Sequence, residues 1–433
     1  PFVSVHQNSG VGWSAQQKLA GYLFARIEHA RRTENWKLAT ELLLGAPTNP
    51  AVLVNGDEWW VERRIVSRKL VEQGQYKTAY RIAANHSAQS ASDIIEAEFH
   101  AGWYALRYLN DRGTAQRHFA KMLGHSTRPI SIARSHYWMG RAKTGNAAAA
   151  HYRQAGVHQG TFYGQLALHE LGQKRLVIAK PDVSSTDRNN FENRELVRVI
   201  RRLEETGNGG WTNGFYLHLA RTLNSPGELA ILSANAERQG NFQLALQVGK
   251  IANGRGLAVD TLAWPIGAIP GSAKIRADDM ALAYAISRQE SAFNKAAVSP
   301  ANARGLMQLL PGTAKAVARK RGYSYSHARL TQDAAYNATL GTAYLNDQMA
   351  EFGNSYVLTF IAYNAGPRRV GQWIERFGDP RGKPLYDVID WVEMIPYSET
   401  RHYVQRVLEN YQVYKARIAG SRLTLAQDLT RGR

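Results

Sequence analysis

The sequence predicts an all-α protein: an irregular α-solenoid of stacked helical hairpins, followed by a separate compact helical domain. Three observations predict it. One short pattern recurs through the first 250 residues. The text there is helical with Gly and Asn punctuation and few strand signals. After about residue 272 the pattern gives way to short, capped apolar segments.

The recurring pattern is a turn residue, a small polar residue, an aromatic, and Ala three places on. It reads Glu34-Asn-Trp36-Lys-Leu-Ala39, then Gly74-Gln-Tyr76-Lys-Thr-Ala79, then Gly240-Asn-Phe242-Gln-Leu-Ala245, with weaker echoes at Arg112-Gly-Thr-Ala115 and Thr144-Gly-Asn-Ala147. The turn opens a helix, the aromatic fills the groove against the preceding helix, and Ala permits close approach. Hairpins at such spacing stack because one pair cannot bury its own apolar face. Trp103, Tyr104, Tyr108, Tyr137, Trp138, Tyr152, Phe162 and Tyr163 read at helical spacing as repeat core, with a few free to stack on sugar rings.

The N-terminal superhelical domain is expected over residues 1–175. Polar text at Lys180-Pro-Asp-Val-Ser-Ser-Thr-Asp-Arg-Asn-Asn reads as a loop, and Gly207-Asn-Gly-Gly-Trp-Thr-Asn-Gly214 as a turn cluster. Further helices run to about Asn253, so residues 176–271 form a helical linker domain. Trp264-Pro-Ile-Gly-Ala-Ile-Pro-Gly271 breaks the helical pattern and marks a boundary. A third domain is expected over 272–420, and a loose basic tail over 421–433.

The third domain opens on Met280 to Ile286, apolar at every position and so a buried helix. Pro311-Gly-Thr313-Ala starts a second helix, and Thr331-Gln-Asp333 a third that continues through Tyr344 and Met349. Val357 to Tyr363 is a fourth, ended by Asn364-Ala-Gly366-Pro367, where Gly supplies a left-handed cap and Pro forbids continuation. Tyr397-Ser-Glu399 opens the last helix, which carries Tyr411 and Tyr414.

Composition bounds the function classes. The 433 residues are 44% hydrophobic and 21% charged, which suits a folded chain of several domains. The formal net charge of +19 points to a polyanionic partner, either nucleic acid or an anionic cell-envelope surface. The basic residues are spread as pairs such as Arg63-Arg64 and Arg368-Arg369, and no nucleic-acid-binding signature accompanies them. The chain has no Cys, which excludes disulfides, thiolate metal sites and a Cys nucleophile, and is compatible with an oxidising compartment. No run of about twenty apolar residues is present. The start Pro1-Phe-Val reads as a processed or trimmed N-terminus.

No phosphate loop, zinc motif or nucleophile elbow appears, and His327 and His402 read as structural or surface residues. Carboxylate chemistry remains. Glu290 closes the buried helix four residues after Ile286, flanked by Ser287 and Phe293. Two readings stand: a desolvated acid with a raised pKa, or a helix-end Glu turned to solvent. A glycosidase ordinarily uses two carboxyls, yet no Asp or Glu occurs between Glu290 and Asp333. Either Glu399 supplies the second, or one Glu acts first as acid and then as base.

Five segments in order, Glu290-Ser-x-Phe, Ser299-Pro, Gly305-Leu-Met-Gln308, Ala362-Tyr-Asn-Ala-Gly366 and Glu399-Thr-Arg-x-Tyr-Val404, resemble the catalytic domain of family 1 lytic transglycosylases. The preceding solenoid looks like the ring-shaped superhelical domain of the soluble lytic transglycosylases of Gram-negative bacteria. The resemblance implies a lysozyme-like α domain that cleaves the β-1,4 bond between N-acetylmuramic acid and N-acetylglucosamine in peptidoglycan, leaving a 1,6-anhydromuramoyl end. Glu290 would be the lone catalytic acid and base. Ser299, Met307, Gln308, Leu310, Tyr363, Asn364 and Glu399 would bind substrate: Ser299 and Gln308 by hydrogen bonds, Met307 in the apolar wall, Tyr363 beside the cleaved residue, Asn364 at the helix end. Arg401 would pair locally. Leu310 stands where the family often has Met, a swap of similar volume.

The resemblance implies no cofactor and no metal. It also implies a monomer in the periplasm, associated with the outer membrane, acting on glycan strands and meeting cell-wall synthesis or division proteins. Two rival readings are a hydrolytic muramidase and a non-catalytic solenoid that binds glycan or protein.

Overall fold

A computed structural model describes residues 14–432. Among these residues every regular element is a helix, and the only extended pairing is two isolated bridges, Val298 with Arg304 and Arg304 with Leu309. Two compact units divide between His158 and Gln159.

The first unit is built from α1 (Ala15–Arg32), α2 (Trp36–Leu44), α3 (Pro50–Leu53), α4 (Gly56–Glu72), α5 (Tyr76–Ala84), α6 (Ala91–Arg107), α7 (Arg112–His125), α8 (Pro129–Ala142) and α9 (Gly145–Gly156). The repeated motif does what its residues predict. Glu34 and Gly74 take left-handed backbone, with φ of +56° and +74°. Each turn closes by the same pair of bonds: Asn35 N–H to Ala30 C=O with Glu34 N–H to Arg31 C=O, and Gln75 N–H to Leu70 C=O with Gly74 N–H to Val71 C=O. The aromatic then starts the next helix. Ala39, Ala79 and Ala115 are fully buried. The echo at Thr144 slips by one residue, because Ala147 is exposed and Ala148 faces inward.

Of the aromatics read as core, all but Tyr108 are buried. Close approach depends on two glycines. A Cβ on Gly102 would meet the Phe119 ring at 2.5 Å, and one on Gly140 the Tyr152 ring at 2.4 Å. A polar layer also lies inside this unit. Buried Glu98 accepts from His118 and His86, and Arg134 pairs with Glu96 at 2.6 Å while its guanidinium lies over Phe99. Burial alone would push the Glu98 carboxyl up, but the two histidine bonds outweigh it and hold the group down at about 2.

The second unit begins with α10 (Phe162–Glu170), α11 (Ser185–Glu192), α12 (Glu195–Glu205), α13 (Asn213–Thr222), α14 (Pro226–Arg238), α15 (Phe242–Gly254) and α16 (Asp260–Ala263). Gly240, at φ +71°, closes the α14–α15 turn in the repeat's own way, and Ala245 is fully buried. The polar stretch 180–190, expected as a loop, is corrected: α11 starts inside it. Ser184 and Asp187 form a reciprocal capping box there, satisfying the first amides that composition alone would leave to water.

The remaining helices are α17 (Ala277–Glu290), α18 (Pro311–Lys320), α19 (Arg329–Gln332), α20 (Ala334–Glu351), α21 (Tyr356–Ala365), α22 (Pro367–Phe377), α23 (Leu385–Met394), α24 (Ser398–Ala419) and α25 (Leu425–Thr430). Helix α17 is buried at every position from Ala281 to Ser287, lying along α24 with Tyr284 stacked on Tyr414 at 5.1 Å. Gly366 ends α21 at φ +90°, ψ +149°, a region only Gly enters readily, so the expected left-handed cap is a sharper reversal instead.

Two expectations change here. The stretch after Gly420 is not loose: Leu425 and Leu429 are buried, and Asp428 accepts from Lys415 and Gln412. Helix α10, expected in the N-terminal domain, packs with the last helices. Phe162 N–H donates to Glu409 Oε2 at 2.6 Å, and Tyr163 donates to buried Glu393.

Candidate active site

Helix α17 stops at Glu290 because the backbone turns away from helical geometry at once. Ala292 and Phe293 both take left-handed φ, +50° and +66°. Each costs on the order of 1–2 kcal/mol for a residue with a Cβ. Phe293, 5% exposed, meets the Tyr284 ring edge-on at 6.0 Å, and Ser291 Oγ donates to Ser287 C=O and to Leu306 C=O. The core holds the reversal, and the reversal fixes where the Glu290 carboxyl emerges.

Glu290 is half-buried, and its surroundings decide its proton. Desolvation pushes the carboxyl up to about 7, with the charge of Glu399 adding to it. One group works the other way. Tyr403, 4% exposed on α24, donates its hydroxyl to Glu290 Oε1 at 2.6 Å, which favours the ionised form. Glu290 is therefore a half-buried, largely desolvated acid whose carboxyl is held by a protein donor, and the solvent-facing alternative does not describe it. Burial and the same carboxylate push the Tyr403 and Tyr363 hydroxyls well above the ordinary tyrosine value, so both stay protonated donors.

The loop 297–310 is built on one buried amide. Asn337, fully buried in α20, accepts from Met307 N–H at 2.9 Å and donates to Arg304 C=O at 2.8 Å and Leu330 C=O at 3.0 Å. Gly305, at φ +75°, passes so close that a Cβ there would meet Leu330 C=O at 2.0 Å. Tyr363 donates to the Met307 carbonyl at 2.8 Å, tying the end of α21 to the same loop.

The expected site residues divide as follows. Glu290 and Tyr363 come together, with Glu399 near enough to act electrostatically on Glu290. Glu399 is exposed at the start of α24. Ser299 is half-buried; its Oγ accepts from Ala303 N–H at 3.0 Å, so it shapes its own turn. Gln308, at φ +48°, gives its amide nitrogen to Ala297 and Gly305 carbonyls, and its Oε1 has no partner among the described residues. Leu310, 47% exposed, occupies the N-cap position of α18 without a side-chain bond. Asn364 accepts from Thr400 at 2.7 Å, joining α21 to the first turn of α24.

Met307 is a correction. Its side chain, expected in the cleft wall, is fully buried against Gly341, where a Cβ would meet Sδ at 2.5 Å, so it supports the loop from beneath. Arg401 is 2% exposed and pairs with Glu393, eight residues earlier, at 3.7 Å. Two residues were given no role by the sequence reading, Tyr403 being quoted only within the last motif. Tyr403 lies four after Glu399, hence on the same helix face. Asn337 is an Asn inside an apolar helix, where it is unfavourable unless its side chain is used.

Among the described residues no group of three or more His, Asp or Glu could hold a metal ion. The arrangement offers one neutralisable acid, a tyrosine that steadies its conjugate base, and a rigid polar loop. It can hand a proton to a leaving oxygen and take one back.

Comparison with known proteins agrees with this chemistry. Residues 268–385 match the family described as Transglycosylase SLT domain, and residues 394–422, mostly α24, match the one described as Soluble lytic transglycosylase helical domain. A Haemophilus influenzae protein assigned by its name to the soluble lytic murein transglycosylases is 34% identical over 248 residues, 57% of this chain and 41% of that protein. The soluble lytic murein transglycosylase of Escherichia coli K12 is 41% identical over 152 residues, 35% of this chain and 23% of that protein. The chain thus spans less than half the length of these relatives.

Two solved structures share the fold. One is an inactive mutant of the lytic transglycosylase Slt from Pseudomonas aeruginosa, with TM-score 0.55 and 23% identity over 93% of this chain and 74% of that one. The other is the 70 kDa soluble lytic transglycosylase of Escherichia coli, with TM-score 0.54 and 22% identity over 95% and 75%.

Proposed function

We propose that this chain, whose residues 268–385 belong to the transglycosylase SLT domain family, is a peptidoglycan lytic transglycosylase. One observation carries the reading: a desolvated carboxyl, Glu290, pushed up to about 7 and bonded by the Tyr403 hydroxyl.

At neutral pH a large fraction of Glu290 is protonated. It donates to the glycosidic oxygen between N-acetylmuramic acid and N-acetylglucosamine, and the C1–O bond breaks with positive charge developing at C1. The departing sugar leaves as an alcohol. The Glu290 carboxylate, held by the Tyr403 O–H, then takes the proton of the muramoyl C6 hydroxyl as O6 bonds to C1. A 1,6-anhydro ring forms, no water is consumed, and Glu290 ends protonated. Ser299, Gln308, Leu310, Tyr363, Asn364 and Glu399 line the route of the glycan, with Met307 beneath it. No cofactor enters.

We place the enzyme in the periplasm of a Gram-negative bacterium, associated with the outer membrane, as a monomer that works beside cell-wall synthesis or division proteins. Among the described residues no helix is long and apolar enough to cross a membrane. The net charge of +19 favours an anionic envelope polymer as substrate. Mass spectrometry of digested sacculi is the test. Anhydro-ended muropeptides are expected. Reducing muramic ends in their place would convert the enzyme to a hydrolase with Glu399 as second carboxyl, and binding without any product would make it a glycan-binding solenoid.

A further inference from the structure

A cavity of about 290 Å³ opens among α11, α12, α13 and α14, helices that precede the one carrying Glu290. Its volume lies near the lower end for small-molecule sites, about 300–1,000 Å³. Buried Phe191, Ile200 and Leu232 give it an apolar floor. One turn of α12 puts Arg201 and Glu204 into its wall, and one turn of α14 adds Asn235 and Arg238.

Glu204 is held through one oxygen. Its Oε1 accepts from the buried Tyr216 hydroxyl at 3.2 Å and from Gln239 at 2.6 Å. Among the described residues its Oε2 has no partner. Arg201, three residues earlier on the same helix, is exposed and makes neither a hydrogen bond nor an ion pair among them. Arg238 donates only to Asn235 Oδ1, and its charge reaches the Tyr216 hydroxyl. Most of its five N–H donors are therefore unused.

The charges decide what fits. Two guanidiniums without a carboxylate partner suit an anion, and a carboxylate can take a guanidinium bidentately. Glu204 in the same wall repels a simple anion such as phosphate, unless the ligand also brings a cation to Oε2. The floor adds a third requirement, because polar atoms buried there without hydrogen bonds would be costly. A free α-amino acid with an aliphatic or aromatic side chain meets all three.

We propose that this cavity binds such a zwitterionic amino acid. Its carboxylate sits on Arg201 and Arg238, its ammonium on Glu204, and its side chain over Phe191, Ile200 and Leu232. The site is separate from Glu290 and does not depend on the peptidoglycan reading.

Calorimetric titration of the full chain with leucine and phenylalanine, each in L and D form, tests it. At least one should bind, and its amide and its N-acetyl derivative should each bind about tenfold more weakly. Arg201→Ala should lower affinity about tenfold and erase the preference for the free acid over the amide. Glu204→Gln should erase the preference for the free amine over the N-acetyl form. The glutamine carbonyl can still accept from Tyr216 and Gln239, and an unchanged thermal midpoint certifies the fold of each variant. Should a variant unfold, the wild-type comparison of amino acid, amide and N-acetyl derivative decides by itself. No binding of any of the four amino acids would overturn the proposal. So would derivatives that bind as tightly as the free amino acid, or phosphate or N-acetylmuramic acid binding equally well, which would make this a general anion or sugar-acid site.

Discussion

The hydroxyl of Tyr403 and the carboxyl of Glu290 meet at 2.6 Å, across 113 positions of sequence, and the bond joins the C-terminal end of α17 to the first turns of α24. Burial drives the carboxyl towards its neutral form while this one donor favours its charged form. The acid and base roles of a single group depend on that opposition.

Replacing Tyr403 by Phe removes the donor and leaves the ring. The Glu290 carboxyl then titrates higher still, the alkaline limb of the activity profile moves to higher pH, and kcat falls about 10- to 100-fold because the carboxylate formed in mid-reaction loses its partner. Initial rates of sacculus solubilisation from pH 5 to 9 measure both effects. An unmoved alkaline limb would deny Tyr403 the role.

Glu290→Gln should abolish lysis and retain sacculus binding. It should also alter stability in a pH-dependent way. The folded carboxyl titrates near 7 and the unfolded one near the ordinary value of about 4.3. Between those values the folded state holds a proton that the unfolded state has released, so wild-type stability falls as pH rises from about 4.3 through 7. The Gln variant carries no such slope. It should gain on the order of 1–3 kcal/mol over wild type at pH 8 and nothing comparable at pH 4. Denaturant melts at the two pH values check it.

Asn337→Ala strands Met307 N–H and the carbonyls of Arg304 and Leu330 in a dry interior. The cost should be about 2–4 kcal/mol, read by urea unfolding. Activity at temperatures where the variant stays folded should also drop, since the loop carrying Gln308 loses its clamp.

In the first unit Glu98 predicts the opposite pH behaviour. Its folded value is held down near 2 against an ordinary value of about 4.3, so its contribution is present above 4.3 and is lost as pH falls from there towards 2. Glu98→Gln should destabilise the unit by about 1–3 kcal/mol at pH 7 and flatten its acid limb. Circular dichroism melts between pH 3 and 7 give the slope.

How much of this could be read from the chain differs from element to element. The hairpin turns at Gly74 and Gly240 were legible because glycine favours left-handed backbone locally, and the following Ala marks the buried face; Glu34 takes the same backbone against its own preference. The burial of α17 was legible from seven consecutive apolar positions. The helix at Ser185 was not, since a capping box competes with polar composition and wins only through two specific bonds. Met307 was misplaced for a different reason. Which side of a loop faces the core is decided by a distant partner, Gly341, that no local pattern names.

The left-handed pair Ala292 and Phe293 has a consequence for how this chain can change length. Each residue added to or removed from α17 turns everything beyond it by about 100°. Because the reversal pins the helix end against the core, an insertion between Ala277 and Glu290 could not be absorbed downstream and would swing the carboxyl off Tyr403. The irregular stretch 264–276 just upstream carries no such phase. Natural length variation in this domain should therefore fall before residue 277 and spare the fourteen residues that follow.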